Sequence, residues 1–147
     1  MRKVKVFSPT NIALAKYWGK RDPTLNLPAN SSLSVTLADF GSETEVVFDS
    51  RFKKDVFILN GKEIPGSRVK PGMTRWERIL NILRDLKKEK VYAQVTSFNN
   101  FPTAAGLASS ASGMSALTLA GAKALELDLS KEKLSHISRL GSGSSCR

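Results

Sequence analysis

The stretch NNFPTAAGLASSASG, residues 99–113, constrains the fold more than any other part of the chain. A run of strand composition, 91–98, leads into Pro102, small residues and Gly106, and then into a helix predicted over about 107–125. A strand-to-helix turn with almost no side-chain bulk lets backbone N–H groups approach a ligand closely. The helix N-terminus adds unpaired amides and the positive end of its dipole. Together these make a polyphosphate cradle, with the hydroxyls of Ser109 and Ser110 placed to touch a phosphate or a phosphate-bound metal ion. The segment is not a Walker loop, since no Gly-Lys-Ser/Thr follows the glycine, and it is not a dinucleotide fingerprint. The same residues also suit a helix packed tightly on a sheet, with Gly113 and Gly121 as close-contact points.

The strands predicted around this turn come mostly early and the helices mostly late. Residues 4–7 alternate with lysine as a first strand, and 11–18 are a candidate second. Residues 33–37 and 45–48 alternate as two half-buried strands. Segments 56–59 and 62–64 flank Asn60-Gly61, a hairpin signal because both residues tolerate the positive φ of a tight turn. Pro65, Gly66, Pro71 and Gly72 mark a loop. Thr74 and Glu77 form a capping box that opens a helix to about Lys88, with Trp76, Ile79, Leu80, Leu83 and Leu86 at helical spacing. Ser130 caps another helix through Leu140, which Gly141 ends. This order argues for an α+β fold, a mixed sheet with helices packed on one face, rather than a regular βαβ array. A chain of 147 residues is one domain by size, enough for a real core.

The formal net charge of +10 calls for an anionic partner: nucleic acid, a membrane surface or small polyanions. The basic residues are dispersed, with short clusters such as Lys87, Lys88 and Lys90, and aromatics are not interleaved with them as in single-strand binders. Phosphate ligands are the better match. A lysine-rich chain with one glutamine, Gln94, also suits a hot environment. No run approaches a membrane span and residues 1–7 are too polar for a signal peptide. With Cys146 the only cysteine, a reducing, cytoplasmic setting is expected; with His136 the only histidine, a protein zinc site is not. His136 reads as a solvated or half-packed residue on a helix flank.

Two further constellations carry chemistry. In NIALAKYWGKRD, residues 11–22, Lys16 and Lys20 flank Tyr17, Trp18 and Gly19; two ammonium groups and a phenol beside a tight glycine can hold a phosphate ester or diphosphate. Solvated lysines at a strand end are the plain alternative. In GSGSSCR, residues 141–147, the hydroxyls of Ser142, Ser144 and Ser145 and the planar fork of Arg147 suit a carboxylate or phosphate, with a flexible tail as the alternative.

Taken in order, NIALAKYWGKRD, LNLPANSSLSVTL at 25–37, NNFPTAAGLASSASG and GSGSSCR resemble the diphosphomevalonate decarboxylases, a branch of the GHMP kinase superfamily. The resemblance runs from about Lys5 to Arg147 and is weakest across 39–72. It implies the GHMP kinase N-terminal domain, of the ribosomal protein S5 domain 2-like type. It implies ATP-dependent decarboxylation of (R)-5-diphosphomevalonate to isopentenyl diphosphate, with ATP and Mg2+ as cofactors, in the mevalonate pathway of isoprenoid biosynthesis. Pro102 and the run Ala104, Ala105, Gly106, Leu107, Ala108, Ser109 and Ser110 would wrap the ATP phosphates, Ser110 touching the transferred phosphate or its magnesium. Tyr17, Trp18, Gly19 and Lys20 would form one wall of the substrate site. Ser142, Gly143, Ser144, Ser145, Cys146 and Arg147 would form another, Arg147 gripping the carboxylate. Arg78 matches an arginine that reaches the substrate diphosphate, with Arg75 close enough to be confused with it. Lys16 would sit near the reacting hydroxyl as acid, base or electrostatic prop.

Members of that family are roughly twice as long, and their second half carries an aspartate, an arginine and a glycine-rich motif that have no counterpart here. Asp22, next to Arg21, is the only acidic residue inside a matching block and reads as structural or salt-bridged. The resemblance therefore implies an N-terminal, truncated or split product lacking the C-terminal domain, with exposed apolar surface, and a homodimer at full length. The competing activities are a phosphomevalonate decarboxylase, a mevalonate 3-kinase and, from another class, a basic RNA-binding module; neither nucleic acid nor membrane is the expected partner.

Overall fold

Apolar–polar alternation lays down one mixed sheet, and the computed structural model describes it through residues 1–66, 72–102 and 108–146. The strands are β1 (Arg2–Ala15), β4 (Leu33–Asp49), β7 (Tyr92–Asn99), β5 (Val56–Leu59) and β6 (Lys62–Ile64), in that spatial order. Neighbours pair antiparallel except β5, which runs parallel to β7. Two short strands, β2 (Lys20–Asp22) and β3 (Leu27–Pro28), pair separately; the periodicity did not foretell them. The helices are α1 (Arg75–Lys87), α2 (Ser109–Ala124) and α3 (Lys131–Gly141).

The turn chemistry behaves as expected. Asn60 and Gly61 take φ of 48° and 79°, closing the β5–β6 hairpin. Thr74 caps α1, with both arms of its box to Glu77 formed, and Ser130 caps α3 by accepting from the Lys133 amide. Three expectations need correction. Segments 4–7 and 11–18 are not separate strands: β1 is continuous to Ala15, and Tyr17 and Trp18 lie beyond it. Segments 33–37 and 45–48 are likewise one strand, β4, because Ser42 and Thr44 between them find polar partners on β7, the Asn99 amide oxygen and the Ser97 hydroxyl. Gly141 is the last residue of α3 and not a left-handed stop; Ser142 is the cap.

The sheet buries one face. On β4 and β7 the inward partners change character along the strands: Phe48 faces Ala93, Val46 faces Val95, Thr44 faces Ser97 and Ser42 faces Asn99. At the apolar end the sheet meets α1 and α2 through Phe57, Trp76, Ile79, Leu80, Leu83 and Leu117. The rings of Phe57 and Trp76 stack with centroids 5.5 Å apart. Helices α1, α2 and α3 also pack on one another. A Cβ on Gly121 would lie 2.8 Å from Leu83 Cδ1, so this glycine is a contact point, whereas Gly113 has room. Arg84 and Asp55 form a half-buried, two-armed ion pair, at 2.9 and 2.8 Å, that ties α1 to the start of β7. The opposite face carries the pairs Lys3–Glu45 and Lys5–Glu43 in solvent.

The ladder of β1 and β4 shifts register twice, between Pro9 and Thr10 and again between Ala13 and Ala15, the first shift being the larger. Pro9 faces Gly41 but Thr10 faces Leu37, so residues 38–40 bulge out. A side chain at 41 would collide with the Phe7 ring and the Ser8 carbonyl, which explains the glycine. Toward the far end of this pairing Leu14 and Leu33 stand 69% and 63% exposed.

Candidate functional site

The polar end of the inner sheet face is where β7 hands over to α2. Ser42 Oγ donates to Asn99 Oδ1 at 2.7 Å and shares a 2.7 Å hydrogen bond with Ser112 Oγ. These buried bonds fix the first turn of α2 to the centre of the sheet. Asn100 braces the same corner: its amide oxygen accepts from Gly41 N at 2.8 Å and its nitrogen donates to Asp39 O at 2.7 Å. Asn60 Oδ1 accepts from Asn99 N at 2.9 Å. The two asparagines that precede the small-residue turn are therefore its anchors.

Helix α2 begins on Ala108, at φ 52°, with no side-chain cap. The amides of Ala111 and Ser112 fold back on Ala108 O at 2.8 and 3.4 Å. The amides of Ser109 and Ser110 precede any intrahelical acceptor, so among the described residues this helix end presents unpaired donors and the positive end of its dipole. Ser110 is exposed and Ser109 half-buried. Both line an apolar cavity of about 370 Å3 with Phe57, Trp76, Gly113 and Met114. The indole nitrogen of Trp76 is buried there without a hydrogen-bond partner among the described residues. Pro102 is exposed at the exit from β7, while Ala104, Ala105, Gly106 and Leu107 lie outside the described residues.

The other two constellations meet each other. Gly19 takes φ 76°, a left-handed turn after Trp18, and its carbonyl accepts from Ala29 N. The turn folds Tyr17 back against residues 142–146: a Cβ on Gly143 would overlap the Tyr17 hydroxyl. Lys20 Nζ donates to Asn26 Oδ1 at 2.7 Å, and Asn26 Nδ2 donates to the Arg139 and Leu140 carbonyls. From α1, Arg78 Nη2 donates to Thr24 O at 3.0 Å; from α3, Arg139 Nε donates to Leu25 O at 3.1 Å. Arg75 instead lines the cavity beside Ser109 and Ser110, which separates the two arginines that the sequence left close. Asp22 is structural, its Oδ1 accepting from Leu25 N.

The 142–146 turn is ordered by one hydroxyl of its own and two from α3. Ser145 Oγ donates to Ser142 O at 2.7 Å, Ser138 Oγ to Ser145 O at 3.2 Å and Ser135 Oγ to Cys146 O at 3.3 Å. The flexible-tail alternative fails for 142–146; Arg147 lies outside the described residues. Gly141 joins the two regions. A Cβ there would stand 3.0 Å from Met114 Sδ, and Met114 is one helical turn beyond Ser110. Lys16 and Trp18 are solvent-exposed, Trp18 by 79%. Among the described residues, no three His, Cys, Asp or Glu side chains gather as a metal site. A hard cation here would rest on hydroxyl and phosphate oxygens.

Comparison with known proteins fits this geometry. The family model described as the diphosphomevalonate decarboxylase-like N-terminal domain matches residues 8–147. The chain belongs to this family. Among curated members, the diphosphomevalonate decarboxylase of Debaryomyces hansenii is 45% identical over 156 residues, spanning 95% of this chain and 38% of that protein. That of Saccharomyces cerevisiae is 43% identical over 159 residues, spanning 97% and 38%. The mevalonate diphosphate decarboxylase structure from Enterococcus faecalis superposes with a TM-score of 0.87 at 48% identity, covering 99% of this chain and 44% of that one. The Staphylococcus aureus structure gives 0.87 at 43%, covering 98% and 42%. Another solved relative, at 48% identity and a TM-score of 0.87, covering 99% of this chain and 43% of that one, is described as a complex with MVAPP, AMPPCP and magnesium. The chain thus spans about two-fifths of the length of the decarboxylases it matches.

Sequence reasoning within this decarboxylase family found the blocks but not their fasteners. Asn11 is one: its Nδ2 donates to Thr36 Oγ1 at 3.1 Å while its Oδ1 is buried with no partner among the described residues. Asn26, Asn99, Asn100 and Arg139 are others. Their partners are distant in the chain, so spacing carried no trace of them. No helix among the described residues is long and apolar enough to cross a membrane.

Proposed function

We propose that this chain forms the nucleotide-binding half, and one substrate-facing half, of an ATP-dependent decarboxylase acting on (R)-5-diphosphomevalonate. One observation carries the reading. The corner built by Tyr17, Lys20, Arg78 and the 142–146 turn adjoins, through Gly141 on Met114, a helix N-terminus that keeps its donors. Two polyanions held at those places meet head to head, which is what phosphoryl transfer between them requires.

In this reading the ATP phosphates lie on the α2 N-terminus, with the Ser109 and Ser110 amides and hydroxyls as donors. The base takes the apolar cavity, where the Trp76 N–H offers a buried donor. Lys20, Tyr17 and the serines of the final turn hold the diphosphate and orient C3; Arg78 supports the turn that carries them. Magnesium, when bound, screens the facing phosphates, with Ser110 its one protein hydroxyl. The γ-phosphoryl group passes to the 3-hydroxyl oxygen, whose proton must leave, and Lys16 is the nearest candidate in sequence to manage that charge. The C3–O bond then breaks with phosphate departing. The carboxylate releases CO2, and its C–C electron pair becomes the new double bond. Arg147 grips the carboxylate, as the resemblance implies. A cytoplasmic setting and a homodimer of the longer protein belong to the same reading.

The test is ADP and CO2 release with Mg-ATP and 5-diphosphomevalonate, for this chain and for a version extended to the length of its relatives. Turnover of the diphosphate, with little for the 5-monophosphate or free mevalonate, is expected in the extended protein. ADP release without CO2, or preference for the monophosphate, would replace this reading with a 3-kinase or a monophosphate decarboxylase.

A further inference from the structure

The turn between β2 and β3 is held from several sides, and one of its residues touches both walls of the corner. Asn26 stands at φ 51°, in the left-handed region that asparagine tolerates. Its Nδ2 donates to Arg139 O at 2.9 Å and to Leu140 O at 3.3 Å, carbonyls at the C-terminal end of α3 that the helix itself leaves without donors. Its Oδ1 accepts from Lys20 Nζ at 2.7 Å. The orientation of the amide is fixed by chemistry: carbonyls only accept and an ammonium only donates, so a flipped amide would lose all three bonds. The two residues before it are fastened independently, Thr24 by Arg78 and Leu25 by Arg139 and Asp22.

We propose that Asn26 is a positioning residue: it pins the Lys20 ammonium to the end of α3, so that the Tyr17–Lys20 wall and the 142–146 turn meet one polyanion as a unit. The proposal rests on the functional reading above for its ligand, but not for the contact itself. A neutral partner is the point of the device. The amide oxygen fixes the ammonium without cancelling its charge, and two of its three N–H donors stay available for ligand oxygens. A carboxylate at position 26 would neutralise Lys20 and would face the negative end of α3. The lysine would then be held just as firmly and would attract a polyanion less.

Two variants separate these effects. Asn26→Gly deletes both arms while keeping the backbone relaxed at positive φ. Asn26→Asp is isosteric and keeps an oxygen for Lys20. The first readout is lysine acetylation followed by mass spectrometry, with exposed Lys53 as internal reference. Lys20 is expected to acetylate roughly fivefold faster in Asn26→Gly, as for loss of one charge-assisted hydrogen bond near the surface, with Lys16 unchanged. A merely structural role would loosen the corner and raise Lys16 and Lys20 together. The second readout is titration with inorganic pyrophosphate. Affinity should fall about tenfold in Asn26→Asp although Lys20 acetylates no faster than in the parent chain. Equal Lys20 rates in the parent and Asn26→Gly, or unchanged pyrophosphate affinity in Asn26→Asp, would overturn the proposal. If the parent chain ignores pyrophosphate while the acetylation response appears, the positioning role stands and the functional reading falls.

Discussion

Two glycines show where the causes of local structure lie. Gly61 was legible because its cause is local: the tight turn at Asn60-Gly61 demands positive φ, and the dipeptide announces it. Gly141 was misread as a helix stop because its cause is remote. A Cβ there would meet Ile79 Cδ1 at 2.6 Å and the Met114 side chain at 3.0 and 3.1 Å. Ile79 is fully buried, so any shift of its Cδ1 must be made within the packed core. Gly141→Ala should therefore destabilise the chain by about 1 kcal/mol, the cost of overpacking less the gain in helix propensity. A urea-unfolding midpoint unchanged or raised by the substitution would refute that account. The same distinction covers the site: the hydroxyls and amides of Ser109 and Ser110 follow from their place after a strand, whereas the anchoring by Asn99, Asn100 and Asn26 depends on partners that only the fold supplies.

Among the elements, the helices could be read because their boundaries are chemical. Thr74 and Glu77 satisfy each other's backbone at the start of α1. Thr74→Ala should cost about 1 kcal/mol, and Ser130→Ala less, because that cap is exposed and makes a single 3.2 Å bond. Thermal unfolding of the two variants would rank them, and equal losses would mean that the box adds nothing to a lone cap. The long strands were harder. β1 looked broken at Ser8, Pro9 and Thr10, and β4 at 38–44, where Phe40 is the one large apolar residue, yet Ser42 and Thr44 point inward onto Asn99 and Ser97. Polar residues interrupt an alternation pattern whether they end a strand or line the functional end of one, and sequence alone does not separate the two.

For the molecule as a whole, acid is the informative perturbation. Arg51 holds the buried Asp49 carboxyl well below the usual carboxylate range, chiefly through its side-chain hydrogen bonds and then through its own amide. Arg2 lowers Glu89 in the same way across 87 residues of chain. Both carboxyls titrate lower in the folded state than in the unfolded one. Their stabilisation is thus complete above about pH 5 and declines as pH falls from about 4 toward the folded values. Unfolding midpoints should be level through neutral pH and drop in acid, and Asp49→Asn should lower the plateau and soften the drop. A variant with the parent's acid profile would show that the Arg51 contact is not felt globally. The sheet order also has a consequence for how the chain is made. β7 lies at the middle of the sheet, between β4 and β5, yet it is the last strand in sequence. As the polypeptide leaves the ribosome, β1 with β4 and β5 with β6 can each zip locally, but they remain two separate ribbons until Asn99 has emerged. The segment that we propose binds the ATP phosphates follows directly in sequence, so it is translated at the moment its platform closes.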